Sequence, residues 1–130
     1  MLLEDLTKLH HRHPNSKAIY GGDFNMITSL EENKGGLRSL NSDSKAFNSF
    51  IISANLVDIP PRNGIFTWTN KRGGDRHIAS WLDRFLVYDS ILMEGVTIYS
   101  DILPSGGSDH WPITLNASIL GTPEKKTFPI

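Results

Sequence analysis

The chain has 130 residues, 38% of them hydrophobic and 21% charged, with a formal net charge of −1 and no cysteine. This predicts a single globular domain with a modest core and excludes disulfides, thiolate metal sites and an overall basic field. No apolar run reaches membrane-span length, and the opening MLLEDLTKLHHRH, acidic near its front, does not read as a secretory signal.

Leu2, Leu3, Leu6 and Leu9 recur at helical spacing, so residues 2–12 read as an amphipathic helix ended by Pro14 and Asn15. Residues 17–20 read as a short strand running into Gly21-Gly22-Asp23-Phe24-Asn25. Residues 28–42, rich in Gly, Ser, Asn and charge, read as a long loop of the kind that often carries function. Asp43 is the expected N-cap of a second helix, whose buried face is Phe47, Phe50, Ile51 and Ala54 at i, i+3, i+4 and i+7. Residues 56–59 form a strand stopped by Pro60-Pro61. Residues 65–69, β-branched and aromatic, form another. The polar turn 70–76 then predicts a hairpin between 65–69 and a long strand over 78–88. Asp89 is read as capping a helical turn through Glu94, followed by strands over 96–99 and 111–116 flanking the loop 104–107. From Gly121 on, the chain reads as a tail or linker, which leaves 1–120 as the domain. The order favours an α/β fold with helices on one face of a largely antiparallel sheet.

Polar residues break the apolar pattern in three places. Asp23 and Asn25, two apart, share one side if the chain stays extended past the glycines, with Phe24 on the other. In Ser80-Trp81-Leu82-Asp83-Arg84-Phe85, strict alternation puts Asp83 between Trp81 and Phe85, where a carboxylate is costly to bury unless paired. Ser108-Asp109-His110 stands at a loop-to-strand junction. Each place also fits a plain structural role: an Asx-turn at Asp23, surface pairs of Asp83 and Arg84 on an edge strand, a capping turn at 108–110. His10, His11 and His13, at i, i+1 and i+3, do not converge on one ion as an i, i+4 pair would and read as a solvated helix end, and Trp68 and Trp81 read as core or as a stacking platform. Taken together, acids, an amide and a histidine at strand ends suit phosphoester chemistry, in which carboxylates hold a hard divalent ion and an Asp-held His stabilises phosphate charge or moves a proton.

In this order, GGDFN (21–25), WLDRFLV (81–87) and SDHWPI (108–113) resemble the signatures of the C-terminal half of the endonuclease/exonuclease/phosphatase superfamily, the DNase I-like fold. With FTWTN (66–70) the pattern is most similar to the endonuclease domains of plant LINE-type retrotransposons, over residues 1–117. The resemblance implies the C-terminal half of a four-layer α/β sandwich and a Mg²⁺- or Mn²⁺-dependent phosphodiesterase acting on DNA. It implies that Asp23 positions or deprotonates the attacking water, Asn25 holds the scissile phosphate, Asp83 orients His110, His110 contacts the phosphate, and Asp109 belongs to the metal site. No segment matches the family's N-terminal half with its metal-binding Glu, and Trp81 stands where relatives often carry Arg. The chain is therefore expected to be truncated, to bind metal weakly and to be inactive alone. A bare inner sheet face is expected to favour a homodimer. Alternatives are a non-catalytic retroelement remnant and a DNA- or protein-binding module using the basic loop 71–76. A retroelement enzyme would act in the nucleus, although no basic run here supports that address.

Overall fold

The computed structural model describes residues 19–36, 39–119 and 125–129. The expected first helix over 2–12, with its histidines, lies outside the described residues. Among the described residues, nine strands and two α-helices follow in the order β1 (Ile19–Asp23), β2 (Asn33–Lys34), α1 (Ser42–Ser53), β3 (Leu56–Ile59), β4 (Trp68–Thr69), β5 (Ala79–Ser80), β6 (Asp83–Tyr88), α2 (Asp89–Leu92), β7 (Val96–Ile102), β8 (Ile113–Ile119) and β9 (Lys125–Pro129). The strands form three three-stranded sheets, β1-β6-β3, β2-β5-β4 and β7-β8-β9, and every ladder is antiparallel. This is the expected mixed α/β architecture with mostly antiparallel strands. No helix among the described residues is long and apolar enough to cross a membrane.

β6 is the organising strand, and all six of its residues are buried. Alternation sends Leu86 and Tyr88 to one face, where they meet Tyr20, Phe24, Leu56 and the Phe47, Phe50, Ile51 and Ala54 stripe of α1. Phe85 and Val87 go to the other face and pack with Ile59, Ile113 and Leu115. So α1 covers one face of β1-β6-β3, and β7 and β8 cover the other. Among the described residues, neither face of this central sheet is the bare face expected from the sequence. Asp83 and Arg84 lie on this central strand and are buried, which corrects the surface-pair reading of an edge strand.

Several expected boundaries shift for identifiable reasons. The N-cap of α1 is Asn41, not Asp43: the Asn41 side chain accepts the Ser44 N–H, and Asp43 falls inside the first turn, where a negative charge suits the helix dipole. Asp89 is likewise the first residue of α2, with Tyr88 at the cap position. The long strand over 78–88 splits into β5 and β6. The buried Thr67 hydroxyl accepts the backbone N–H of Leu82 (3.1 Å) and of Asp83 (2.9 Å), and the Trp81 N–H goes to the Glu32 carbonyl (2.8 Å). These bonds take the donors that a continuous ladder would need. They also shorten the 65–69 strand to β4, although its hairpin with β5 forms as expected. The loop 28–42 contains a 3₁₀ turn, Leu30–Glu32, before β2. Residues 125–129 of the segment read as a tail add β9 to the edge of β8.

Candidate functional site

β1 runs straight through its glycines, with Gly22 at φ 151°, a value side-chain-bearing residues rarely adopt. Its register against β6 places Asp23 directly opposite Asp83. Two like charges facing each other across a ladder repel. His110 relieves this. Its Nδ1 lies 2.7 Å from Asp83 Oδ2, and its Nε2 lies 3.6 Å from Asp23 Oδ2. The carboxylate only accepts, so the Nδ1 atom carries the proton of that bond and Nε2 faces Asp23.

Each member is held from outside the group. Asp83 is placed by its N–H to Thr67, and its carbonyl accepts the Trp81 indole N–H at 2.9 Å. His110 is fixed by an antiparallel bridge to Trp68, flanked by Thr69 N–H to Asp109 O (3.1 Å) and Trp111 N–H to Thr67 O (2.7 Å). Asp23 Oδ1 accepts the Asn25 N–H at 2.8 Å, so the Asx-turn reading of Asp23 also holds. Asp23 keeps its Oδ2 side toward His110, with the side chain 43% exposed.

Partial burial works against a charged His110 ring. The Asp83 hydrogen bond and charge, then the charges of Asp23 and Asp109, outweigh it and raise the pKa above the usual histidine value.

The other two sequence-derived residues stand apart. Asn25 adopts a left-handed conformation, φ 54°, because the extended chain ends at Asp23. It therefore does not continue the strand alternation expected to align it with Asp23. It lines a cleft of about 250 Å³ with Met26, Ile27, Ser39, Asn41, Asp43 and Ser44. Asp109 is exposed and pairs with Lys71 Nζ at 3.4 Å, while Lys71 also donates to the Gly107 carbonyl.

Asp23, Asp83 and His110 each offer one ligand atom, all within 4.8 Å of one another, and could hold a metal ion. A set of carboxylates and one imidazole suits Mn²⁺ better than Mg²⁺, which favours oxygen ligands.

Behind β6, on the side away from His110, the fully buried Arg84 pairs with Glu32 Oε1 (2.8 Å) and Asp58 Oδ2 (2.6 Å). One guanidinium serves two carboxylates. Burial raises the Asp58 pKa to about 6, the Arg84 charge and hydrogen bond oppose this, and Glu32 adds to the rise. The sequence signal for this group was a single charge on the apolar Leu86 and Tyr88 face. Its partners, 52 and 26 residues distant, carried none.

Beside the site, Asn70 organises the 70–78 loop by accepting the N–H groups of Arg72 (3.1 Å) and Ile78 (3.0 Å) and donating to the Arg76 carbonyl (2.7 Å). Lys71, Arg72 and Arg76 are exposed on it.

No family model matches the chain, and neither a curated protein nor a solved structure does.

Proposed function

We propose that this chain carries the acid–histidine centre of a divalent-metal-assisted phosphodiesterase acting on DNA, built on a DNase I-like half-sandwich. The observation that carries the reading is the convergence of three separate sequence motifs, GGDFN, WLDRFLV and SDHWPI, on Asp23, Asp83 and His110 at 2.7 and 3.6 Å.

Asp83 fixes the ring by accepting Nδ1–H, so Nε2 is the atom presented to substrate. With its raised pKa the ring is readily an imidazolium, whose Nε2–H donates to a non-bridging phosphate oxygen and meets the charge that grows there. Asp23 Oδ2, next to it, takes a proton from water as the water oxygen bonds to phosphorus. The bond from phosphorus to the leaving deoxyribose oxygen breaks, and that oxygen takes its proton from solvent. Asp23, Asp83 and His110 are the residues that would hold an ion, which, bound in place of the Nε2 proton, would neutralise negative charge on the phosphate oxygens instead of the imidazolium. A proton on Nε2 competes with the ion for the same atom, so metal binding is expected to be weak and to strengthen as pH rises. Lys71, Arg72 and Arg76, on the loop beside the site, supply positive charge for flanking phosphates.

The test is plasmid nicking with Mn²⁺ and with Mg²⁺, comparing the chain with Asp23→Ala and His110→Ala. Slow nicking that both substitutions abolish supports the reading and overturns the expectation that the chain is inactive alone. Binding of DNA without nicking, lost when Lys71, Arg72 and Arg76 are replaced, would instead favour a DNA-binding module.

A further inference from the structure

Arg84 follows Asp83 in the chain and so points to the opposite face of β6, away from His110. It is completely buried, with Cζ 4.2 Å from the centre of the Trp81 ring. Nη1 donates to Asp58 at 2.6 Å. Nη2 lies 2.8 Å from Glu32 Oε1, 2.9 Å from the Trp81 carbonyl and 3.1 Å from the Met26 carbonyl. Its two N–H groups are shared among these three acceptors.

Two of the acceptors are backbone carbonyls of the segments that carry the site: Met26 follows Asp23 by three residues, and Trp81 precedes Asp83 by two. Glu32 reinforces the link. Its carboxylate also accepts the Thr28 N–H (2.9 Å) and the Thr28 hydroxyl (2.5 Å), which folds the loop after Asp23 onto itself, and its carbonyl accepts the Trp81 N–H. A buried ion pair is weak support for stability, since apolar residues of similar volume often serve a core as well or better. What an apolar residue does not do is tie two carbonyls from different segments to one point. The same two segments are also joined by the β1–β6 ladder and by the Phe24 N–H to the Leu82 carbonyl (3.0 Å), and the guanidinium adds a side-chain tie where Asp23 and Asp83 face each other as like charges.

We propose that Arg84 is the positioning residue of this site: its guanidinium locks the loop leaving Asp23 to the break entering Asp83, and thereby sets both carboxylates relative to His110. The inference rests on the functional reading above only in taking Asp23, Asp83 and His110 as the reacting centre. Lys at position 84 would keep the charge but lose the planar fork that reaches several acceptors at once. Asp58 provides the contrast. It contacts the same guanidinium from β3, a strand with no site residue.

The experiment reads the site in two ways on folded Arg84→Lys, Glu32→Gln and Asp58→Asn. The first is the low-field proton resonance of the His110 Nδ1–H in its bond to Asp83. The second is the nicking rate. Arg84→Lys and Glu32→Gln are expected to shift or broaden that resonance and to lower nicking on the order of 10²-fold, the cost of a misplaced reacting group. Asp58→Asn, which disturbs the guanidinium without freeing either segment, is expected to leave the resonance in place. An unchanged resonance in Arg84→Lys overturns the proposal, and if that variant does not fold, an unchanged resonance in Glu32→Gln does so. If the parent chain does not nick DNA at all, the functional reading fails and the resonance alone decides the role of Arg84.

Discussion

His110 joins two carboxylates that the strand register sets against each other, and its protonation is therefore coupled to folding. Its pKa is raised in the folded chain, so the stability it contributes is fully present below the usual histidine value of about 6.5 and is lost as pH climbs through the raised folded value. Thermal melts across this range are expected to show Tm falling as pH rises, with a shallower fall in His110→Gln. Equal slopes for the two proteins would show that the ring is not coupled to the two aspartates. The residues of this centre were legible as chemistry before any fold was known. A carboxylate between Trp81 and Phe85 is costly to bury unless it is paired, and His110 pairs it. The Asp58, Glu32 and Arg84 group was not legible, because pairing at that range depends on which loop covers which strand face.

At the scale of elements, the helix was readable from its apolar period, and its start was misplaced by two residues. Both Asn41 and Asp43 are good capping types, and only the backbone geometry decides which side chain reaches an unpaired N–H. Asn41→Ala is expected to destabilise the chain by about 1 kcal/mol. Asp43→Ala should cost less, only the loss of a charge near the helix N-terminus. Urea unfolding of the two variants checks the order, and a larger loss in Asp43→Ala would contradict the assigned cap. The split of the 78–88 strand has the same origin. Thr67 looked like an ordinary strand residue, but its hydroxyl takes two backbone N–H groups and turns the chain from one sheet into another. That turn is what brings Asp83 under His110.

At the scale of the molecule, α1 on one side and β7 with β8 on the other enclose the central sheet. The outward residues of β7 and β8 include Tyr99, Asp101 and Asn116, and Arg62 lies over the Tyr99 ring at 3.8 Å while pairing with Asp101 at 2.9 Å. Among the described residues, both faces of the central sheet are covered, so that sheet offers no bare face for dimerising. Sedimentation velocity at high concentration is expected to show a monomer. A dimer would point instead to the loops that carry exposed Ile65, Leu103 and Trp111, which are joined by the Leu103 N–H to the Pro112 carbonyl and the Trp111 N–H to the Thr67 carbonyl.

By itself, the sequence determined the mixed α/β class, the buried face of α1, the hairpin joining β4 and β5, and the identity of the three motifs that hold Asp23, Asp83 and His110. These follow from local periodicity, turn chemistry and the cost of placing charge among apolar neighbours. Tertiary structure alone decided that Asp23 and Asp83 stand opposite each other, that Asn25 leaves the strand line, that Asp109 turns to Lys71, and that Arg84 ties the site from behind. Register, sheet order and loop placement are long-range properties, set by how whole surfaces pack, and no local run of residues encodes them.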